Sequence, residues 1–147
     1  MPFTIEQFFD VFEAYNRATG PAFLLLSIAA VLAALSLFWR SAWTNRFVLL
    51  VLSLLWAWSG AAYHLMFFAE VNPAAWIFGG LFLIQSSIFL WLAFRSRAVY
   101  VNIDSSISKI VVVGLVLYSI VLYPLITSAA GHAYPRAPSF GAPCPIT

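Results

Sequence analysis

His64, Gln85 and Tyr123 are polar side chains set within otherwise apolar runs, so any chemistry they do would be that of single groups in a hydrophobic phase. A polar or ionisable side chain at membrane depth is costly and needs a partner or a use. Centring the run 47–71 near residue 59 puts His64 about 7 Å from its middle. The same helical rise places Gln85 near the centre of its own run and Tyr123 at about the depth of His64. A hydrogen bond from the Tyr123 hydroxyl to the His64 ring would satisfy both groups, although separate satisfaction by backbone or water is the more ordinary outcome. Gathered around a cavity, the three would suit passage of a small solute.

Metal and catalytic chemistry find less support. The other histidine, His132, falls past the last apolar run, roughly 12 Å farther from the centre than His64, whereas two ligands of one metal must each come within about 2 Å of it. A bis-histidine site within one chain is therefore not expected. A single-ligand site, or one shared between chains, stays open, with a structural histidine the better-founded reading. Cys144, the sole cysteine, makes neither an internal disulfide nor a zinc site. No Ser-His-Asp set, paired carboxylates, Gly-rich phosphate loop or Cys/His motif stands at useful spacing. Glu6, Asp10, Glu13 and Asp104 lie outside the apolar runs, and Glu70 falls at the interfacial end of the run 47–71. The expectation is no catalytic residue, no cofactor, no metal and no enzyme.

The elements that must carry these residues follow from hydropathy. With 63% hydrophobic and only 8% charged residues over 147 positions, water is not the main solvent of this chain. A net charge of +2 with no block of like charges excludes a nucleic-acid patch. The partners expected are a lipid bilayer and other membrane subunits, or further copies of the chain.

Thr4 and Gln7 stand at capping-box spacing ahead of Phe8, Phe12 and Tyr15, which predicts an amphipathic helix over 5–17, lying on the membrane interface or packed on the bundle. Four transmembrane helices follow at 21–39, 47–71, 73–94 and 109–130, with Pro21 and Pro73 in early helical positions and Pro124 a kink. The acidic start and the length of the first run argue against a cleaved signal peptide. Residues 131–147 are too proline-rich for a helix and read as an extended surface tail. The fold class is an all-α integral membrane bundle, one domain over 1–147. Gly60, Gly79 and Gly80 are the expected sites of close helix packing, with a glycine-floored groove walled by aromatics as the second reading. Gln85, Ser86 and Ser87 are expected to act as interhelical glue.

Arg40, Arg46, Arg95, Arg97 and Lys109 flank the odd loops, against Arg17 and Arg136 on the other side, so the positive-inside rule puts both termini outside. The segments Pro2-Phe3-Thr4, Phe8-Phe9, Tyr15-Asn16, Trp58 through Tyr63-His64, Phe67-Phe68, Asn72-Pro73-Ala74-Ala75 and Gly141-Ala142-Pro143-Cys144-Pro145 resemble an uncharacterised bacterial multi-pass membrane family, domain-of-unknown-function family 6064. The resemblance covers the whole chain. It implies bacterial inner-membrane residence, little about chemistry, and a continuation into further apolar spans after the Cys-Pro segment; with that residence, the outward termini given by the basic-residue count would be periplasmic. The expected function is a non-catalytic accessory or assembly subunit, with a small-solute transporter or channel around His64, Gln85 and Tyr123 as the alternative.

Overall fold

A computed structural model describes residues 3–39, 41–95, 105–129, 131 and 134–138. Among these residues the regular structure is entirely helical. Helix α1 (Ile5–Thr19) starts as the sequence predicts: Thr4 Oγ1 accepts from the Gln7 amide at 3.2 Å while the Gln7 side chain accepts from the Thr4 amide at 2.8 Å. It runs two residues past the predicted end and stops at Gly20, whose φ of 39° lies in the region that favours glycine. Helix α2 (Ala22–Ser36) follows across a bend of 86°.

Helix α2 is shorter than the predicted 21–39 span. Its 15 residues give a rise of about 22 Å, under the roughly 30 Å of bilayer hydrocarbon. Leu37 to Trp39 leave it in 3₁₀-type turns whose amides bond to Ala34, Leu35 and Ser36. Among the described residues three helices are long and apolar enough to cross a membrane, or four if the bent pair α1–α2 counts as one span.

Helix α3 (Ala42–Trp58) begins at Ser41, whose hydroxyl accepts from the Trp43 amide. It continues without a break into a π-helical segment, Ser59–Phe67, and a 3₁₀ turn, Phe68–Glu70. Nothing in the hydropathy run announces that change of pitch. Asn72 then closes the turn with its side chain on the Ala74 amide, and α4 (Ala75–Arg95) starts two residues later than the predicted 73. The helix at the fourth predicted span, the fourth helix, is composite, with α5 (Ser106–Leu117), a π turn Tyr118–Leu122, and α6 (Tyr123–Ala129). It opens three residues before the predicted 109, capped by the Ser105 hydroxyl. The wide turn precedes Pro124, as expected where a proline removes an amide from the ladder.

Helices α3 and α4 pack antiparallel along their whole length in one register. Arg46 Nε donates to the Ala93 carbonyl, Ser53 meets Ser86, and Gly60 meets Gly79. Each meeting lies seven residues from the last on both helices, the heptad spacing of a coiled-coil seam. Helix α2 packs on α3, and α5 lies lightly against α2. The fourth helix has none of its hydropathic window buried, against half for the α3 span.

Candidate functional site

Helix α1 sits across the end of the bundle where α3 passes through its π segment. Its apolar stripe packs on that end. Phe12 and Tyr15 are fully buried, and their rings meet Tyr63 at 5.6 Å each, stacked and edge-on respectively. Phe8 and Phe3 meet the Phe68 ring at 5.9 and 5.4 Å, and Tyr15 meets Phe67 at 5.7 Å. The Trp58 indole donates to the Tyr15 hydroxyl at 2.7 Å, a polar fastening within this aromatic cluster.

Beneath the cluster lies His64, only 6% exposed. Its ring is walled by Tyr63 at 5.3 Å, Phe68 at 6.1 Å, and Phe78 and Phe82 of α4 at 6.0 and 4.8 Å. Neither ring nitrogen has a hydrogen-bond partner. A buried polar group left in that condition costs about 1–3 kcal/mol, and π turns recur at functional sites, so both features single out the same residue.

The predicted companions of His64 lie elsewhere. The Tyr123 hydroxyl does not bond it, since both imidazole nitrogens lack partners, and Tyr123 sits on the fourth helix with its ring 6.4 Å from Tyr118. Gln85 stands next to Ser86, and the α3–α4 register puts it level with Leu54, ten residues and about 15 Å of helix from His64. The three polar groups therefore do not converge. Among the described residues, no three His, Cys, Asp or Glu side chains group to hold a metal ion.

The packing residues fare better. A Cβ on Gly60 would stand 3.0 Å from the Gly79 carbonyl oxygen, and one on Gly79 would stand 2.5 Å from Leu65 Cδ2. Gly80 has open space around its Cα and takes no part. Ser86 is the interhelical glue of its triplet. Its hydroxyl donates to the Ser53 carbonyl at 2.8 Å while the Ser53 hydroxyl donates to the Ser86 carbonyl at 2.9 Å. Ser87 instead turns back to the Leu83 carbonyl of its own helix.

The outer side of α1 is polar and is covered by a docked turn at 134–138, while most of the predicted extended tail 131–147 lies outside the described residues. Asn16, 2% exposed, donates from Nδ2 to the carbonyls of Pro135 at 2.6 Å and Ala137 at 2.8 Å. The Tyr134 hydroxyl donates to the Asn16 carbonyl at 3.3 Å. Arg136 reaches Glu6 at 2.9 Å, Asp10 at 2.8 Å and Glu13 at 3.7 Å, one carboxylate from each successive turn of α1. The hydrogen bond that Arg136 donates to Glu6, with the charges of Asp10, Glu6 and Glu13, raises the Arg136 pKa above its ordinary value, so the guanidinium stays charged. Sequence reasoning passed over this contact. Its signal was present: Glu6, Asp10 and Glu13 form one helical stripe, and Arg136 is the cation of the tail.

The opposite end of the bundle carries cations among rings. The Arg46 guanidinium lies 5.5 Å from the Trp43 ring and 5.9 Å from Phe94, and Arg95 lies 4.8 Å from Trp91. Trp43, Trp91 and Phe94 are all exposed, an arrangement that matches the aromatic belt of a membrane interface.

Residues 5–147 match a family described as being of unknown function, DUF6064. No curated protein and no solved structure matches the chain.

Proposed function

We propose that this chain, which belongs to the DUF6064 family, is a non-catalytic multi-pass subunit of the bacterial inner membrane that packs against other membrane proteins. The observation that carries this reading is the fourth helix. Ser106–Ala129 is 24 residues long and highly apolar, yet none of its residues is fully buried by the described part of the chain. In lipid no hydrophobic force presses helices together, and close packing of small residues must hold them. Gly114 on this helix has nothing within 4 Å of where a Cβ would stand, so its small-residue contact is unused within the chain. A shallow apolar trough on α4, lined by Leu83, Ile84, Ser87, Ile88 and Trp91, is a second unfilled face.

The separation of His64, Gln85 and Tyr123 favours this reading over a solute path. The cations Arg46 and Arg95 share one end with the aromatic belt, which supports a cytoplasmic location for that end and a periplasmic one for α1 and the docked tail.

Purification from native membranes in mild detergent tests the reading. The expected result is one or more membrane proteins recovered at fixed stoichiometry and lost on Gly114→Leu. Recovery of the chain alone, unchanged by that substitution, would refute it.

A further inference from the structure

We infer that the turn Tyr134–Pro138 is a strap that fastens α1 as a cover over His64, and that freeing the strap opens this imidazole to water. Three layers make up the closure. The strap holds the polar side of α1 through the two Asn16 donations and the Arg136 ion pairs. The apolar side of α1 holds Tyr63 and Phe68, whose rings stack at 5.7 Å. Those two rings close over His64 from one side, while Phe78 and Phe82 of α4 close it from the other.

The closed arrangement is unbalanced. The two Asn16 donations and the bonds from Arg136 Nη2 are made, and Arg136 Nε has its ion pair with Glu13 at 3.7 Å, whereas the imidazole beneath has no partner on either nitrogen. Opening would hydrate the imidazole, so the imidazole itself favours opening and the strap opposes it. The hinge for such a movement is at hand. Gly20 joins α1 to α2 at φ 39°, has nothing within 4 Å of where a Cβ would stand, and turns the chain through the 86° bend. The latch is Asn16 more than Arg136, because the amide is buried while the ion pairs are exposed and screened by salt.

Modification of His64 by diethylpyrocarbonate, followed by peptide mass spectrometry on the full chain in detergent, tests the strap. The wild-type imidazole is expected to react slowly. Asn16→Ala is expected to speed the reaction about tenfold, the effect of one net hydrogen bond on an opening equilibrium, and Arg136→Ala to speed it less. A separate variant tells strap release from general loosening. It combines Asn16→Ala with Asp10→Cys, Arg136→Cys and Cys144→Ser, and a short bismaleimide then joins tail to α1. Joining should restore the slow reaction. Fast modification of the wild type, no acceleration in Asn16→Ala, or a fast rate that survives the bridge would each overturn the inference.

Discussion

Gly60 and Gly79 face each other across α3 and α4 so closely that a methyl group on Gly60 would stand 3.0 Å from both the Gly79 carbonyl oxygen and Phe82 Cβ. Neither of those atoms is the end of a flexible side chain. Gly60→Ala must therefore push the two backbones apart, at a cost of roughly 1–3 kcal/mol by analogy with overpacked cores. Gly80→Ala meets open space on the same helix and should be neutral or stabilising by about 0.5–1 kcal/mol. Thermal unfolding of the two variants in one detergent checks the contrast.

One heptad along the same seam from the glycines, the Ser53 and Ser86 hydroxyls exchange bonds with each other's carbonyl. Bonds of this kind average about 0.6 kcal/mol inside membranes, so each single alanine variant should lose only about that much. The double variant should lose less than the sum, since each single change already breaks part of the shared contact. Additive losses in a double-mutant cycle would show that the two hydroxyls act independently.

His64 lies buried without a partner while Tyr15, at the same end of the bundle, accepts from the Trp58 indole. Replacing the imidazole by an apolar side chain removes an unsatisfied group, so His64→Leu should hold or raise the unfolding midpoint. Tyr15→Phe strands the Trp58 donor and should cost about 1 kcal/mol. The opposite order of stabilities would mean that His64 has a bonding partner in the folded protein.

The proposed topology has the end of the bundle that carries α1 and Asn72 outside the cell, and the end that carries Arg46, Arg95 and Ser105 inside. In a Cys144→Ser background, Asn72→Cys should react with a membrane-impermeant maleimide in intact spheroplasts, and Ser105→Cys only after lysis. The reverse pattern would invert the topology.

Local signals carried much of the fold. The Thr4–Gln7 capping box, the Gly20 stop and the long apolar runs of α3, α4 and the fourth helix were readable because each depends on a few adjacent residues or on length. The close approach of Gly60 and Gly79 was readable from residue size. The heptad that joins Arg46, Ser53 and Gly60 to Ala93, Ser86 and Gly79 was also written in the sequence, but it becomes visible only when small residues are counted at a period of seven on two helices together.

Other features depend on distant parts of the chain. The π turn through Ser59–Phe67 contains no proline, and it brings Tyr63 and His64 onto ring partners in α1 and α4 that no local pattern names. The fit of Tyr123 to His64 rested on equal depth alone. Depth fixes height in a membrane but not which helices are neighbours, and the fourth helix turned out to lie against α2. The tail was judged by its prolines, which exclude helix and strand but leave open a turn tied down by Asn16.

The claim that the fourth helix is an interface is tested most directly in the membrane itself, with a photo-reactive amino acid placed in turn at Leu115, Leu122 and Ile126, all exposed in the isolated chain. The account predicts that illumination of native membranes joins at least one of these positions to a discrete protein, another membrane subunit or a second copy of the chain. Lipid adducts alone at all three positions would contradict it.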